Sequence, residues 1–171
     1  MIRKIIILLL LLIPGLAAAK AGPVSRREVL AAIAVLERDV TSAAAPQAAE
    51  TVTRFGKESD AVLITLGPET LPWMQDEATG PEATVRAMLM AVYFAGDIKS
   101  QLEKRQAEDD PYSGWLAVIK AYRQIRRQQP ELVIPEVEDL MKKDEAGTLR
   151  QEAEDLRQQQ DQEETRPTNM V

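Results

Sequence analysis

Apolar residues recur at helical spacing along most of the chain. Ser25-x-x-Glu28 has the form of a capping box, in which hydroxyl and carboxylate each satisfy an otherwise orphaned amide. Val29, Ile33, Leu36 and Val40 then share one face, with Leu30 beside them, which predicts a helix over 25–42. Ala43-Ala44-Ala45 is a joint, and Pro46 suits the first turn of the next helix. Ala48, Ala49, Val52 and Phe55 give that helix a shallower apolar face, and Gly56 is placed to end it in a left-handed cap. The run Ala61 to Leu66 follows Asp60 and stops at Gly67-Pro68. Periodicity alone does not separate a strand from a buried helix in so short a run. The chain has no second strand-like run to pair with it, so a short helix is expected. Residues 67–81 hold Pro68, Pro72, Pro81, Gly67, Gly80 and the pair Trp73-Met74, and read as a loop.

Pro81 opens the longest predicted helix, 81–107. Its stretch from Ala87 to Gly96 is uncharged and apolar all round, the mark of a central helix. Ile98 and Leu102 continue its inner face. Asp110-Pro111 is a cap and first turn for a helix over 111–129, with Trp115, Val118, Ile119, Tyr122 and Ile125 inward and Pro130 ending it. Pro135 starts another, with Val137, Leu140 and Met141 inward. Gly147-Thr148 is a break. Leu149, Ala153 and Leu156 then form a thin stripe on a charged helix supported by pairs such as Arg150 with Glu154. Residues 158–171 are mostly polar with no apolar face, and a disordered tail is expected. The pattern is that of an all-α protein over 22–157, an irregular helical bundle or stacked helix hairpins in one domain.

The first 21 residues differ. A basic head, Met1-Ile2-Arg3-Lys4, precedes an aliphatic run from Ile5 to Ile13, then Pro14-Gly15 and the small residues Leu16-Ala17-Ala18-Ala19-Lys20-Ala21. That order is the pattern of a cleaved secretory signal, with cleavage after Ala19 or Ala21. The alternative is an uncleaved N-terminal membrane anchor. A spanning helix needs roughly 20 apolar residues, and Pro14-Gly15 interrupts a shorter stretch here. A periplasmic or secreted bacterial protein is therefore expected, with no stable membrane insertion after cleavage. The chain has no cysteine, which excludes a cysteine-lipidated protein and any disulfide.

Charge narrows the classes further. The 171 residues carry 21 Lys and Arg against 27 Asp and Glu, a net charge of −6. Loss of residues 1–21 removes three basic side chains and no acid, leaving a net −9. Such a balance makes nucleic acid or an anionic membrane a poor general partner. Histidine is absent, which removes the commonest general base and metal ligand. About 150 residues remain after cleavage, enough to bury roughly 68–70% of the unfolded surface without staples.

Two local resemblances touch on families. Tyr122-Arg123-Gln124-Ile125 leading to Gln129-Pro130-Glu131 resembles the end of a tetratricopeptide repeat, where an aromatic precedes a closing proline by eight positions. It covers about ten residues. The positions that should carry the first-helix signature, near Leu102 to Asp109, do not match, and no second copy recurs at the roughly 34-residue period. Glu58-Ser59 resembles the Glu-Ser pair of lytic transglycosylases, but the substrate-binding motifs that follow that pair are missing. Neither resemblance assigns a family.

Four constellations remain as chemistry. Glu108-Asp109-Asp110 has carboxylates for a divalent cation but lacks the alternation and turn glycine of a calcium loop; helix capping explains it more simply. Lys120, Arg123 and Arg127 fall on one helix face, with Arg126 to one side. They either grip an acidic partner or pair with the protein's own acids. Trp73 and Met74 are a recognition anchor or a lid on the core. Glu58 is the candidate for a two-carboxylate hydrolase. The candidate contact surface is thus Lys120, Arg123, Arg126, Arg127, Trp73 and Met74, with no catalytic, metal or cofactor residue assigned. The functional expectation is an exported helical interaction module, an adaptor or inhibitor-like protein with a protein partner in the envelope. A carrier or holdase for apolar cargo, drawing on Met88 and Met90, and a carboxylate hydrolase are the alternatives.

Overall fold

The computed structural model describes residues 22–75 and 78–164. The expected signal segment, residues 1–21, and the end of the expected tail, residues 165–171, lie outside them. Among the described residues the protein is all-helical: α1 (Arg26–Arg38), α2 (Ala45–Glu58), α3 (Gly80–Lys104), α4 (Pro111–Gln128), α5 (Pro135–Glu145) and α6 (Leu149–Glu164), with one 3₁₀ turn at Pro72–Met74. None of these helices is long and apolar enough to cross a membrane.

The helix starts follow local chemistry. Ser25 and Glu28 form the reciprocal capping box of α1. The Asp110 carboxylate accepts the Ser113 amide at the start of α4, and proline stands in the first turn of α2, α3, α4 and α5. Helix α1 ends earlier than its apolar spacing predicts. The Asp39 carboxylate accepts both the amide and the hydroxyl of Thr41, at 2.9 and 2.6 Å, and this local turn outcompetes the helix. Val40 stays buried, its amide donated to the Gln124 side chain.

Helices α3 and α4 form the centre. Their close crossing depends on two glycines. A Cβ on Gly96 would sit 2.4 Å from the Ser113 carbonyl oxygen, and one on Gly114 would sit 2.5 Å from the Tyr93 ring. Helices α1 and α2 pack as a hairpin against α3, and α5 and α6 cover α4 from the other side. Leu89, Tyr93, Ile98, Trp115, Val118, Ile119 and Tyr122 fill the interior.

Several expectations change. Gly56 lies inside α2 rather than ending it; a Cβ there would come within 2.9 Å of Ile64 Cδ1, so it admits the segment packed on it. Residues 61–66 are not helical: Ala61 lies in a turn and 62–66 run on as irregular chain. Helix α3 is buried on every side only over residues 91–95: Ala87 is exposed, and Met88 and Met90 are half-buried. Helix α6 runs on to Glu164, so residues 158–164 of the expected disordered tail are helical. Arg150 stacks over the Tyr112 ring at 4.1 Å, tying α6 to α4.

Candidate functional site

The loop of residues 67–75 is held from beneath. Arg86, buried in α3, donates to the Trp73 carbonyl and pairs with Glu82 at 2.8 Å and Glu136 at 3.5 Å. The Trp115 indole donates to the Thr70 carbonyl at 2.9 Å. Trp73 is 0% exposed and lies against Tyr93, with ring centroids 6.3 Å apart. Trp73 is therefore part of a lid sealed onto the core and offers no contact surface. Its neighbour Met74 is exposed.

The basic residues of α4 divide. Arg123 faces Glu145 at 3.7 Å, and Arg126 faces Glu138 at 3.7 Å while donating to the carbonyls of Pro130 and Leu132. Both fasten α4 to α5 and its entry turn. Tyr122 does the same from within: its hydroxyl accepts the Ile134 amide at 2.9 Å and donates to Glu138 at 3.1 Å. Lys120 and Arg127 remain exposed. The six candidate residues do not converge on one surface: Trp73 is spent on the core, Arg123 and Arg126 pair with α5, and Met74, Lys120 and Arg127 are exposed.

The structure instead brings together groups that sequence reading left apart. Asp97 and Gln101, one turn apart on α3, meet Asp109 and the extended segment. Gln101 Oε1 accepts the Leu63 amide at 2.9 Å and its Nε2 donates to the Leu63 carbonyl at 2.6 Å. Asp109 Oδ1 accepts the Thr65 amide at 3.2 Å. Asp97 Oδ1 accepts from Gln101 Nε2 at 2.7 Å and from the Asp110 amide at 2.9 Å. The irregular segment is thus tied down at Leu63 and Thr65 by side chains of α3 and of the loop that follows it.

The second oxygens of Asp97 and Asp109 are out of solvent with no other partner, and the residues are 0% and 4% exposed. The two carboxyl groups interact in this dry site, and like charges there disfavour ionisation of both. Desolvation first, and the Asp109 charge second, push Asp97 up to about 8. Burial also raises Asp109, against lowering hydrogen bonds from Asp97 and Thr65. Asp110 goes the other way: burial raises it, but hydrogen bonds from Lys104, Ser100 and Ser113 outweigh this and leave it at about 2. The acidic triplet is therefore a fastening and a cap. Among the described residues no group of acidic side chains is arranged to hold a metal ion. Glu58 stands exposed at the end of α2, away from this pair.

A second feature is a groove between α2 and the first half of α3, enclosing about 780 Å³. Ala49, Ala83, Ala87, Met88 and Ala91 make its apolar lining, and Glu50, Arg54, Lys57 and Glu58 add charge of both signs. Arg54 Nε is out of solvent and has no acceptor. No family model, no curated protein and no solved structure matches this chain.

Proposed function

We propose that the protein is an exported helical binding module of the bacterial envelope, without catalysis of its own, and that a protein partner lays an amphipathic helix into the α2–α3 groove. The observation that carries this reading is the groove: no element of the chain covers its alanine-rich floor among the described residues. Small side chains let a helix backbone approach closely, and helix-in-groove recognition uses such an apolar trough. The mixed charges of Glu50, Arg54, Lys57 and Glu58 set register and orientation, and Arg54 Nε awaits an acceptor from the partner. The signal-like first 21 residues support the compartment.

A photo-crosslinking side chain placed at the exposed Ala87 tests this in intact cells. One discrete protein adduct, lost on the further change Arg54→Glu, is expected; the absence of any protein adduct would sink the proposal. The carrier reading draws on the same groove, since Met88 adapts to varied apolar surfaces. Lipid bound at fixed stoichiometry in native mass spectra, displaced by no protein, would establish that reading instead.

A further inference from the structure

We infer that residues 61–66 are a pH-operated flap: the buried Asp97–Asp109 contact fastens them over a notch between α2 and α3, and ionisation of the pair in alkaline medium lets them lift while the helices stay folded. The inference does not rest on the binding-module reading above.

The flap hangs between two fixed points. It leaves α2 at Glu58, and beyond it the Thr70 carbonyl is held by the Trp115 indole. Between these points residues 62–66 are irregular chain, and residues 61–66 carry no charged side chain. Ile64 fills the notch. Its Cδ1, the Ile98 Cδ1 and the Phe94 ring all come within 3.6 Å of the place a Cβ on Gly56 would occupy, so the missing side chain of Gly56 makes room for the plug. Leu63 is tied to Gln101 through its amide and carbonyl, at 2.9 and 2.6 Å, and the Thr65 amide to Asp109 at 3.2 Å. Gln101 is itself oriented by Asp97, which accepts from the same Nε2 at 2.7 Å. Both attachments therefore lead to the aspartate pair.

The pair lies in a dry place. Asp97 Oδ1 accepts the amide of Asp110, the residue after Asp109, at 2.9 Å, which sets the two carboxyl groups side by side. The second oxygen of each is out of solvent. The surrounding charges give little relief. On α3, the Tyr93 phenol is buried and Lys104 is taken by Asp110 at 2.7 Å. On the connecting loop, Asp110 is itself an anion, and Glu108 occupies Arg157 of α6 at 2.5 Å. Helix α4 presents the Ser113 hydroxyl, spent on Asp110, and α2 meets the flap through Gly56. Two adjacent carboxylates with no cation of their own resist ionising together, and once both are charged they need water. The flap is the wall that yields. Asp110 anchors the connecting loop through Ser100, Lys104 and Ser113, and such charge-assisted bonds are roughly twice as strong as neutral ones. The flap has neutral amide bonds to Gln101 and one long bond to Asp109. Burial first, then the Asp109 charge, push Asp97 up to about 8, so the flap is closed below that pH and lifts above it.

The test uses the full chain with 13C-labelled isoleucine δ1 methyls. The cross-peak between the Ile64 and Ile98 methyls should be strong at about pH 6 and fall about tenfold by about pH 9. Its midpoint should lie near pH 8, while the core methyls of Ile33 and Ile119 keep their shifts. Asp97→Asn and, separately, Asp109→Asn should keep the cross-peak over the same range, because each removes one charge of the pair. Two variants guard against one of them failing to fold. A cross-peak that persists in the native chain at about pH 9 would overturn the inference, as would its loss at the same pH in both variants. Loss of the Ile33 and Ile119 signals together with that of Ile64 would mark global unfolding, and would overturn it too.

Discussion

Asp97 is wholly buried and keeps its proton near neutrality, with its pKa at about 8. An unfolded aspartate titrates near 3.9. The folded protein therefore holds an extra proton between about pH 4 and pH 8, and the associated stability is complete below that window and lost as pH rises through about 8. Asp97→Asn preserves a donor toward Asp109 and an acceptor for Gln101 and the Asp110 amide, without the charge. Thermal unfolding followed from about pH 5 to about pH 9 should show the native protein losing melting temperature steadily. The variant should lose less and overtake it at the alkaline end; parallel curves would refute a raised Asp97 pKa. Asp110 acts at the acid end: held at about 2, its contribution is present above the unfolded value and fades as pH falls toward 2. Steric limits are equally local. Gly114→Ala places a methyl 2.5 Å from the Tyr93 ring, and Gly96→Ala places one against a backbone carbonyl. Each should cost about 1–3 kcal/mol in urea unfolding, the usual penalty of overpacking. Gly96→Ala should be the worse, because backbone yields less than a ring.

At the level of elements, helices α1, α4, α5 and the start of α6 are legible from their caps, prolines and apolar stripes, since those signals sit within a few residues of the structure they cause. The segment 61–66 is not. Its pairing groups come from Gln101, 38 residues downstream, and from Asp109, 44 residues downstream of Thr65, and neither separation leaves a periodic trace. Without those side chains nothing local fixes the path of this segment. Gln101→Leu should leave the Leu63 amide and carbonyl unpaired, at a cost of about 1–3 kcal/mol. Hydrogen exchange at Leu63 and Thr65 should then accelerate well before the amides of α3 respond. Exchange at those two positions unchanged from the native protein would show that Gln101 does not hold the segment. The basic residues of α4 make a related point. Their spacing on one face was visible, but Glu138 and Glu145 of α5 take up Arg126 and Arg123, a pairing decided by how two helices dock.

For the whole molecule, the export proposal has a direct measure. Expressed in a bacterium with a periplasm, the mature chain should begin at Lys20 or Gly22, by intact mass and N-terminal sequencing. A chain that retains Met1 and fractionates with membranes would replace export by anchoring. The acidic excess is set by composition and needs no structure: a net −6, with an isoelectric point near 4.9, survives any arrangement of the helices. The sequence alone likewise determined the helical class and most helix starts, because helix periodicity and capping are local physics. Only the tertiary structure decided that Trp73 is sealed inside, that the α2–α3 groove stays open, and that Asp97 and Asp109 are buried together beside the segment of residues 61–66. Burial, desolvation and hydrogen bonding across the chain depend on which distant surfaces meet, and that is fixed only when the helices pack.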